Sequence, residues 1–383
     1  MKVLFVCNDL DYFLAHRVAL ARDLLARGDE VLVAAGGVTE HNSGREPGLR
    51  ILPLGLDMHR FRPGGDAALV RQLFGLIRRE RPDMVHTFTA KPNLFGSLAL
   101  VFARLAGRPV PALVMTFPGL GKIYEPGDGI AHRLRRSVVT AVYRLARRFN
   151  DPVVTTENPF DARFLATHGI ARGERAVVVM GAGIDTGAFT PAGRDGAPVV
   201  LFAARLIAGK GVRLFIRAAE ELGSRFPEAR FVVAGPLDED NPDRIPREEI
   251  DAAVARGAIE YVGNVGLADM PGLLRSADVF CMASMLREGL PRSIIEAAAC
   301  GCFVVASNQV SVRQVVRDGE TGRLFETGNQ SALTTALGEA LADIAGTRRK
   351  GVRGAELMRE LPVSEDDVSA AFRDAYDLAL GRV

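Results

Sequence analysis

The chain has 383 residues, 48% of them apolar and 25% charged, with a formal net charge of +2; this balance excludes a disordered chain and leaves room for two or three domains with sizeable cores. No stretch approaches the roughly 18 consecutive apolar residues of a membrane-spanning helix, and the opening run MKVLFVC stops at Asn8 and Asp9, too short for a secretory leader, so a cytoplasmic location is expected. The charge is uneven: residues 1–150 hold 22 Lys/Arg against 13 Asp/Glu and the remainder 26 against 33, which predicts two halves that meet different partners.

Along the chain, KVLFVC (2–7) is a buried-strand pattern, FLAHRVALARDLLARG an amphipathic helix closed by Gly28, and EVLVAA (30–35) a second strand. The rhythm continues through RILPL, a helix at 66–81, MVHTF, a helix after Pro92, ALVMTF, a long helical stretch to Phe149, PVVTT and AVVVM. TPAGRDGAP (190–198) is polar and rich in Pro and Gly and reads as a linker. Beyond it PVVLFAA, ARFVVAG, IEYVG, DVFCMAS and CFVVAS alternate with helices again. Continuously apolar strands separated by helices predict parallel sheets covered on both faces. The expected architecture is therefore α/β, two doubly wound Rossmann-like domains at 1–190 and 191–362, with the cleft between them as the natural ligand site. A last helix, 363–383, could pack on either. The four cysteines (Cys7, Cys281, Cys300, Cys302) sit in apolar runs without a matching His cluster and read as buried thiols.

Neither G-x-G-x-x-G after the first strand nor G-x-x-x-x-G-K-[ST] is present, which argues against a dinucleotide oxidoreductase and a P-loop NTPase. Two other stretches carry chemistry. In EGLPRSIIEAAACG (288–301), Pro291 suits the first helical position, which puts Glu288 in the preceding loop and Glu296 in the second turn, with Gly301 closing the helix. The amides of Gly289 and Leu290 then face the same space as the two acids, an arrangement suited to a phosphate or a hydroxylated ligand. A capping acid and a solvated helix charge account for the pair equally well when it is taken alone. In FAARLIAGKG (202–211), an apolar strand ends in Arg205 and a short loop carries Lys210 between two glycines. Two cations there fit a diphosphate and its charge on departure, although such residues taken alone are most often solvated.

The ordered set A-A-R-L-x-x-x-K-G (203–211), FVVAGP (231–236), YVGNV (261–265) and E-x7-E (288–296) resembles the retaining glycosyltransferases of family 4, which have the two-domain GT-B fold. FLAHR (13–17), HTFTAKPNLFGSLA (86–99), FPGLG (117–121) and GAGID (181–185) resemble the branch that extends polyprenyl-diphosphate-linked sugars. The resemblance implies that Arg205 and Lys210 hold the diphosphate of a nucleotide-sugar donor, a uridine diphosphate sugar by expectation. It further implies that Glu296 takes the ribose, Glu288 the transferred sugar, the Gly289 and Leu290 amides the phosphate and sugar, and the backbone at Val262, Gly263 and Asn264 the base. Glu288, Arg205 and Lys210 are the expected catalytic residues; front-face attack by the acceptor hydroxyl needs no obligatory protein nucleophile. His16, His86 and Lys91 are acceptor-side candidates. Two positions depart from the family: NDLDYF stands where many members have a Gly-Gly loop, and Pro118 where many have a His.

DLD (9–11) and DED (238–240) imitate a metal-binding D-x-D, but the rhythm does not support the single mixed sheet that motif serves. They are expected to be turn and capping acids, with no catalytic metal and no cofactor beyond the co-substrate. HRLRRSVVTAVYRLARRFN (132–150) has six arginines and no acid; Arg133, Arg136, Arg144, Arg147 and Arg148 share one arc, and Leu134, Val138, Val142, Leu145 and Phe149 the next. The apolar arc is expected to pack on the sheet and the cationic arc to rest on an anionic membrane surface, peripheral to the inner face of the cell membrane. Nucleic acid is not an expected partner. The reading is thus a transferase acting on a lipid-linked glycan acceptor. The alternatives are a nucleotide-sugar 2-epimerase on the same architecture, and a non-catalytic sugar-nucleotide-binding subunit of a transferase complex.

Overall fold

The computed structural model describes residues 1–56, 63–121, 123–124, 129–238 and 241–382. Two compact units result: Met1–Gly183 together with Glu365–Val383, and Ile184–Ser364. Among its described residues the first unit holds seven strands, β1 (Lys2–Cys7), β2 (Glu30–Ala35), β3 (Arg50–Pro53), β4 (Met84–Phe88), β5 (Ala112–Phe117), β6 (Val153–Thr156) and β7 (Ala176–Val178). They pair in parallel in the order β3-β2-β1-β4-β5-β6-β7. Alternate residues of β1 feed two cores: Leu4 and Val6 join one, Val3, Phe5 and Cys7 the other. Both faces are therefore dry, which is why the strand reads as continuously apolar. The second core is completed by Val368, Phe372, Ala375 and Tyr376 of the helix Glu365–Leu380, which returns to the first unit.

The second unit has β8 (Val199–Ala203), β9 (Arg230–Ala234), β10 (Glu260–Gly263), β11 (Val279–Met282), β12 (Phe303–Ser307) and β13 (Gly322–Phe325), parallel in the order β10-β9-β8-β11-β12-β13. In each sheet the strand order reverses beside the first strand, between β1 and β4 and between β8 and β11. Open α/β sheets hold ligands outside the carboxyl ends of their strands at such a switch point. All four cysteines are buried free thiols, and burial pushes the thiol of Cys300 up to about 11. No described helix is long and apolar enough to cross a membrane.

Several sequence expectations change. The stretch 10–26 forms two helices, Leu10–His16 and Val18–Ala26, broken at Arg17. Arg17 is buried and donates to Glu157 at 2.9 Å and to the carbonyl of Gly181 at 3.2 Å, contacts that local helix periodicity cannot foresee. Helix Ala90–Leu105 starts ahead of Pro92, which sits in the first turn where its missing N–H is no loss. The stretch 190–198 is no free tether. Arg194 donates to the carbonyls of Leu274, Arg275, Cys300 and Gly301, which end the helices Met270–Arg275 and Arg292–Ala299, so it is bound into the second unit.

Candidate active site

Two loops at the switch point of the second unit come together because a glycine lets backbone approach backbone. After β8 the chain makes a single turn of 3-10 helix, Ala208–Lys210, and leaves through Gly211 with φ +82°. A Cβ at Gly211 would lie 2.0 Å from the Ala283 carbonyl oxygen, just past β11. Gly235 is equally constrained: its Cβ would meet the Ala204 carbonyl oxygen at 1.8 Å. Met285 N–H donates to the Gly209 carbonyl at 2.8 Å, locking the loops together.

Lys210 and Glu288, brought close this way, form an ion pair of 2.7 Å in which both side chains are largely buried. Only Oε2 of Glu288 takes part; Oε1 is buried with no hydrogen-bond partner. The hydroxyls of Ser284 and Ser307, at the carboxyl ends of β11 and β12, are buried and unpartnered as well. Leaving such groups unsatisfied costs about 1–3 kcal/mol each, more for a charged one, so the arrangement is suited to a hydroxyl-rich ligand.

The loop that presents Glu288 is fixed by a residue the sequence did not mark. Gln309, after β12, accepts from the Glu288 N–H at 3.2 Å and donates to the carbonyls of Ser284 at 3.0 Å and Leu286 at 2.8 Å. Ser311 donates to the Glu288 carbonyl at 3.2 Å. Neither carries charge or a recognisable spacing, and their partners follow only from the register of β11 against β12.

The helix after the loop runs Arg292–Ala299, with Pro291 at the N-cap rather than inside it. Proline has no side-chain acceptor, so the N-cap residue makes no side-chain bond to the helix start, and the positive end of the helix stays uncapped from that side. Gly289 and Leu290 are buried between Glu288 and this end. Glu296 is buried, against the reading of a solvated charge; burial raises its carboxyl above the usual range, while Arg292, 2.7 Å away, opposes that shift.

Arg205 stands apart from that pair, more than half exposed, with its guanidinium 3.3 Å from Asp238. Glu239 and Asp240 of the DED stretch lie outside the described residues. Val262, within the edge strand β10, and Asn264, just past it, are exposed, and Gly263, with φ +77°, accepts from the Gly235 N–H at 2.7 Å.

In the first unit His86 needs correction as an acceptor-side candidate. It is fully enclosed, with Nδ1 2.7 Å from the Tyr376 hydroxyl and Nε2 2.6 Å from the Thr116 hydroxyl. Burial lowers its pKa well below the ordinary histidine value, so it is a neutral core residue. Lys91 is buried, 3.9 Å from Asp66, and His16 is half-buried against the Tyr12 ring. Asp9 caps the first helix by accepting from the Tyr12 N–H at 3.0 Å.

Comparison with known proteins agrees with this architecture. Residues 15–181 match the family described as "Glycosyl transferase 4-like domain", and residues 197–343 match "Glycosyl transferases group 1". The chain is 30% identical over 396 residues to 2-deoxystreptamine N-acetyl-D-glucosaminyltransferase of Streptomyces fradiae, covering 95% of this chain and 90% of that one. It is 26% identical over 341 residues to N,N'-diacetylbacillosaminyl-diphospho-undecaprenol alpha-1,3-N-acetylgalactosaminyltransferase of Campylobacter jejuni, covering 85% and 86%. The solved structure of Anabaena HepE in complex with UDP superposes with a TM-score of 0.74 at 18% identity, over 98% of this chain and 100% of that one, a likeness of fold. Matched in both halves and along nearly its whole length, the chain belongs to the group 1, family 4 glycosyltransferases and is a glycosyltransferase of the GT-B fold.

Proposed function

We propose that this glycosyltransferase moves a sugar from a nucleoside diphosphate donor, with uridine as the nucleoside, to a hydroxyl of a lipid-linked glycan, with retention at the anomeric carbon. The observation that carries the reading is the Lys210–Glu288 pair with its unpartnered Oε1. An ammonium has three donors, so Lys210 can hold Glu288 with one and phosphate oxygens with the others. Glu288 Oε1 then accepts from a hydroxyl of the sugar on that phosphate. Arg205, exposed and loosely paired, supplies the second cation for the diphosphate. Glu296, anchored by Arg292, accepts from the ribose hydroxyls, and the backbone at Val262, Gly263 and Asn264 meets the base.

Catalysis in this scheme comes from positioning and from charge. The bond from anomeric carbon to phosphate breaks as the acceptor hydroxyl adds on the same face and passes its proton to the departing phosphate oxygen, and Lys210 and Arg205 stabilise the charge that develops on the departing diphosphate. The names of the two relatives and the UDP complex of HepE support an amino-sugar donor carried by uridine diphosphate. The diphospho-undecaprenol in one of those names supports a lipid-linked acceptor and hence work at the inner face of a membrane.

Glu288→Gln and Lys210→Met are each expected to lower transfer from UDP-N-acetylhexosamine by about 100-fold or more with an unchanged melting temperature. Full activity in both variants would remove the site assignment. Conversion of the donor to its 2-epimer without any acceptor would replace transfer by epimerisation.

A further inference from the structure

The helix Ile130–Asn150 does not pack as its sequence suggests. Its buried residues are Val139, Thr140, Tyr143 and Ala146. Tyr143 fixes this rotation, donating to the Ala90 carbonyl at 3.0 Å and packing edge-on against Phe117. Arg136 and Arg147 turn toward the protein with that face, Arg136 over the rings of Tyr124 and Phe164 and Arg147 with its Nε buried, while Arg144, itself exposed, donates to the His168 carbonyl at 2.8 Å. Of the apolar arc expected against the sheet, Val142 packs on the core and Phe149 is half-buried, but Leu134, Val138 and Leu145 face outward. Ile130 is 78% exposed, Leu134 63%, Val138 55% and Leu145 42%.

At 100° per residue these four occupy an arc of about 80°, with Arg133 and Arg148 along one side and Arg135 along the other. All three arginines are exposed, and the segment 130–150 contains no acid. The helix follows β5 in a parallel sheet, so Ile130 and Leu134 stand at the carboxyl edge of the first unit's sheet, the edge at which such sheets take their ligands.

We propose that this face of helix Ile130–Asn150 is a membrane-docking surface that lies in the interface of an anionic bilayer, with Ile130, Leu134, Val138 and Leu145 in the acyl boundary and Arg133, Arg135 and Arg148 on lipid phosphates. Charge selects the occupant: exposed aliphatic side chains bracketed by guanidinium groups on a helix without an acid match anionic headgroups over hydrocarbon. A second copy of the same face would bring like-charged arginines together. The purpose of docking rests on the lipid-linked acceptor proposed above; the surface itself does not depend on any donor or acceptor.

The chain has no tryptophan, so Leu134→Trp in the full chain reports on this face without background. Its emission is expected to shift to the blue and to be quenched by brominated acyl chains on adding phosphatidylglycerol vesicles, and to stay unchanged with phosphatidylcholine alone. In co-sedimentation with phosphatidylglycerol vesicles, Leu134→Ser with Val138→Ser is expected to weaken partitioning on the order of 100-fold. Arg133→Gln with Arg135→Gln should weaken it about 30-fold at low salt. Unchanged circular dichroism and melting temperature establish that both double variants are folded. Emission unmoved by phosphatidylglycerol, or binding unaffected by either double variant, overturns the proposal. A blue shift without lipid, accompanied by a doubled mass, gives the face to a second copy and overturns it too.

Discussion

Gln309 is neutral and unremarkable in the sequence, yet three of its hydrogen bonds decide where Glu288 stands. The sequence marked Lys210 by its place between two glycines and Glu288 by the Gly-Leu-Pro turn after it, and the structure pairs the two side chains. Gln309, Ser284 and Ser311 were not, since their significance is created by partners from other strands. His86 misled for a related reason: every residue of β4 is buried, so no alternation says which way a side chain points. If Gln309 positions rather than binds, Gln309→Ala will lower kcat by 10- to 100-fold, because a misplacement of about 1 Å can cost that much. Calorimetry should find its affinity for UDP within about threefold of the parent, a difference under 1 kcal/mol. A loss confined to UDP affinity would make Gln309 a ligand contact instead.

At the scale of elements, periodicity located every described strand but β13, passed over the helices Pro159–Thr167, Gln330–Ala342 and Ile344–Glu360, and set several ends wrongly. Both prolines used to start a helix, Pro92 and Pro291, lie one or two residues from the observed position, since proline is compatible with the N-cap and with the whole first turn. The break at Arg17 and the outward turn of helix Ile130–Asn150 were hidden because each is settled by a tertiary contact, an ion pair to Glu157 in one case and the Tyr143 anchor in the other. Arg194 shows the same effect in a loop. A guanidinium at the ends of two helices satisfies carbonyls that have no partner within the helix and opposes the negative pole there. Arg194→Met is expected to cost about 2 kcal/mol and to lower the melting temperature of the second unit by about 4–8 °C. Activity should fall with it near the transition, because one of those helices carries Glu296. A melting curve that does not move would mean these bonds are matched by water in the variant.

For the molecule as a whole, the two doubly wound units were legible from the restart of the strand rhythm, and the absence of dinucleotide and P-loop fingerprints narrowed what they could hold. The position of the division was not, because TPAGRDGAP has a linker's composition while Arg194 binds it to the second unit. The last helix could not be assigned from sequence, since its apolar stripe fits any exposed sheet face. In the structure it packs on β5, β6 and the helix Val18–Ala26, closing the core that holds Val114 and Val153, and Tyr376 bonds to His86. Removing residues 365–383 is therefore expected to unfold the first unit while 184–364, a single continuous segment with its own core, keeps a cooperative thermal transition. Retention of the first unit's transition after that truncation would show the helix to be dispensable.

The interrupted first unit also has a consequence for biosynthesis. Its seven strands leave the ribosome first, but the side chains that seal one face of their sheet are made only after all of Ile184–Ser364. The unit that starts later can finish folding earlier. During that interval a continuous apolar surface around Val114 and Val153 stands open to self-association, so yield in the cell should respond to translation speed and to chaperones that shield nascent chains rather than to the stability of the finished enzyme.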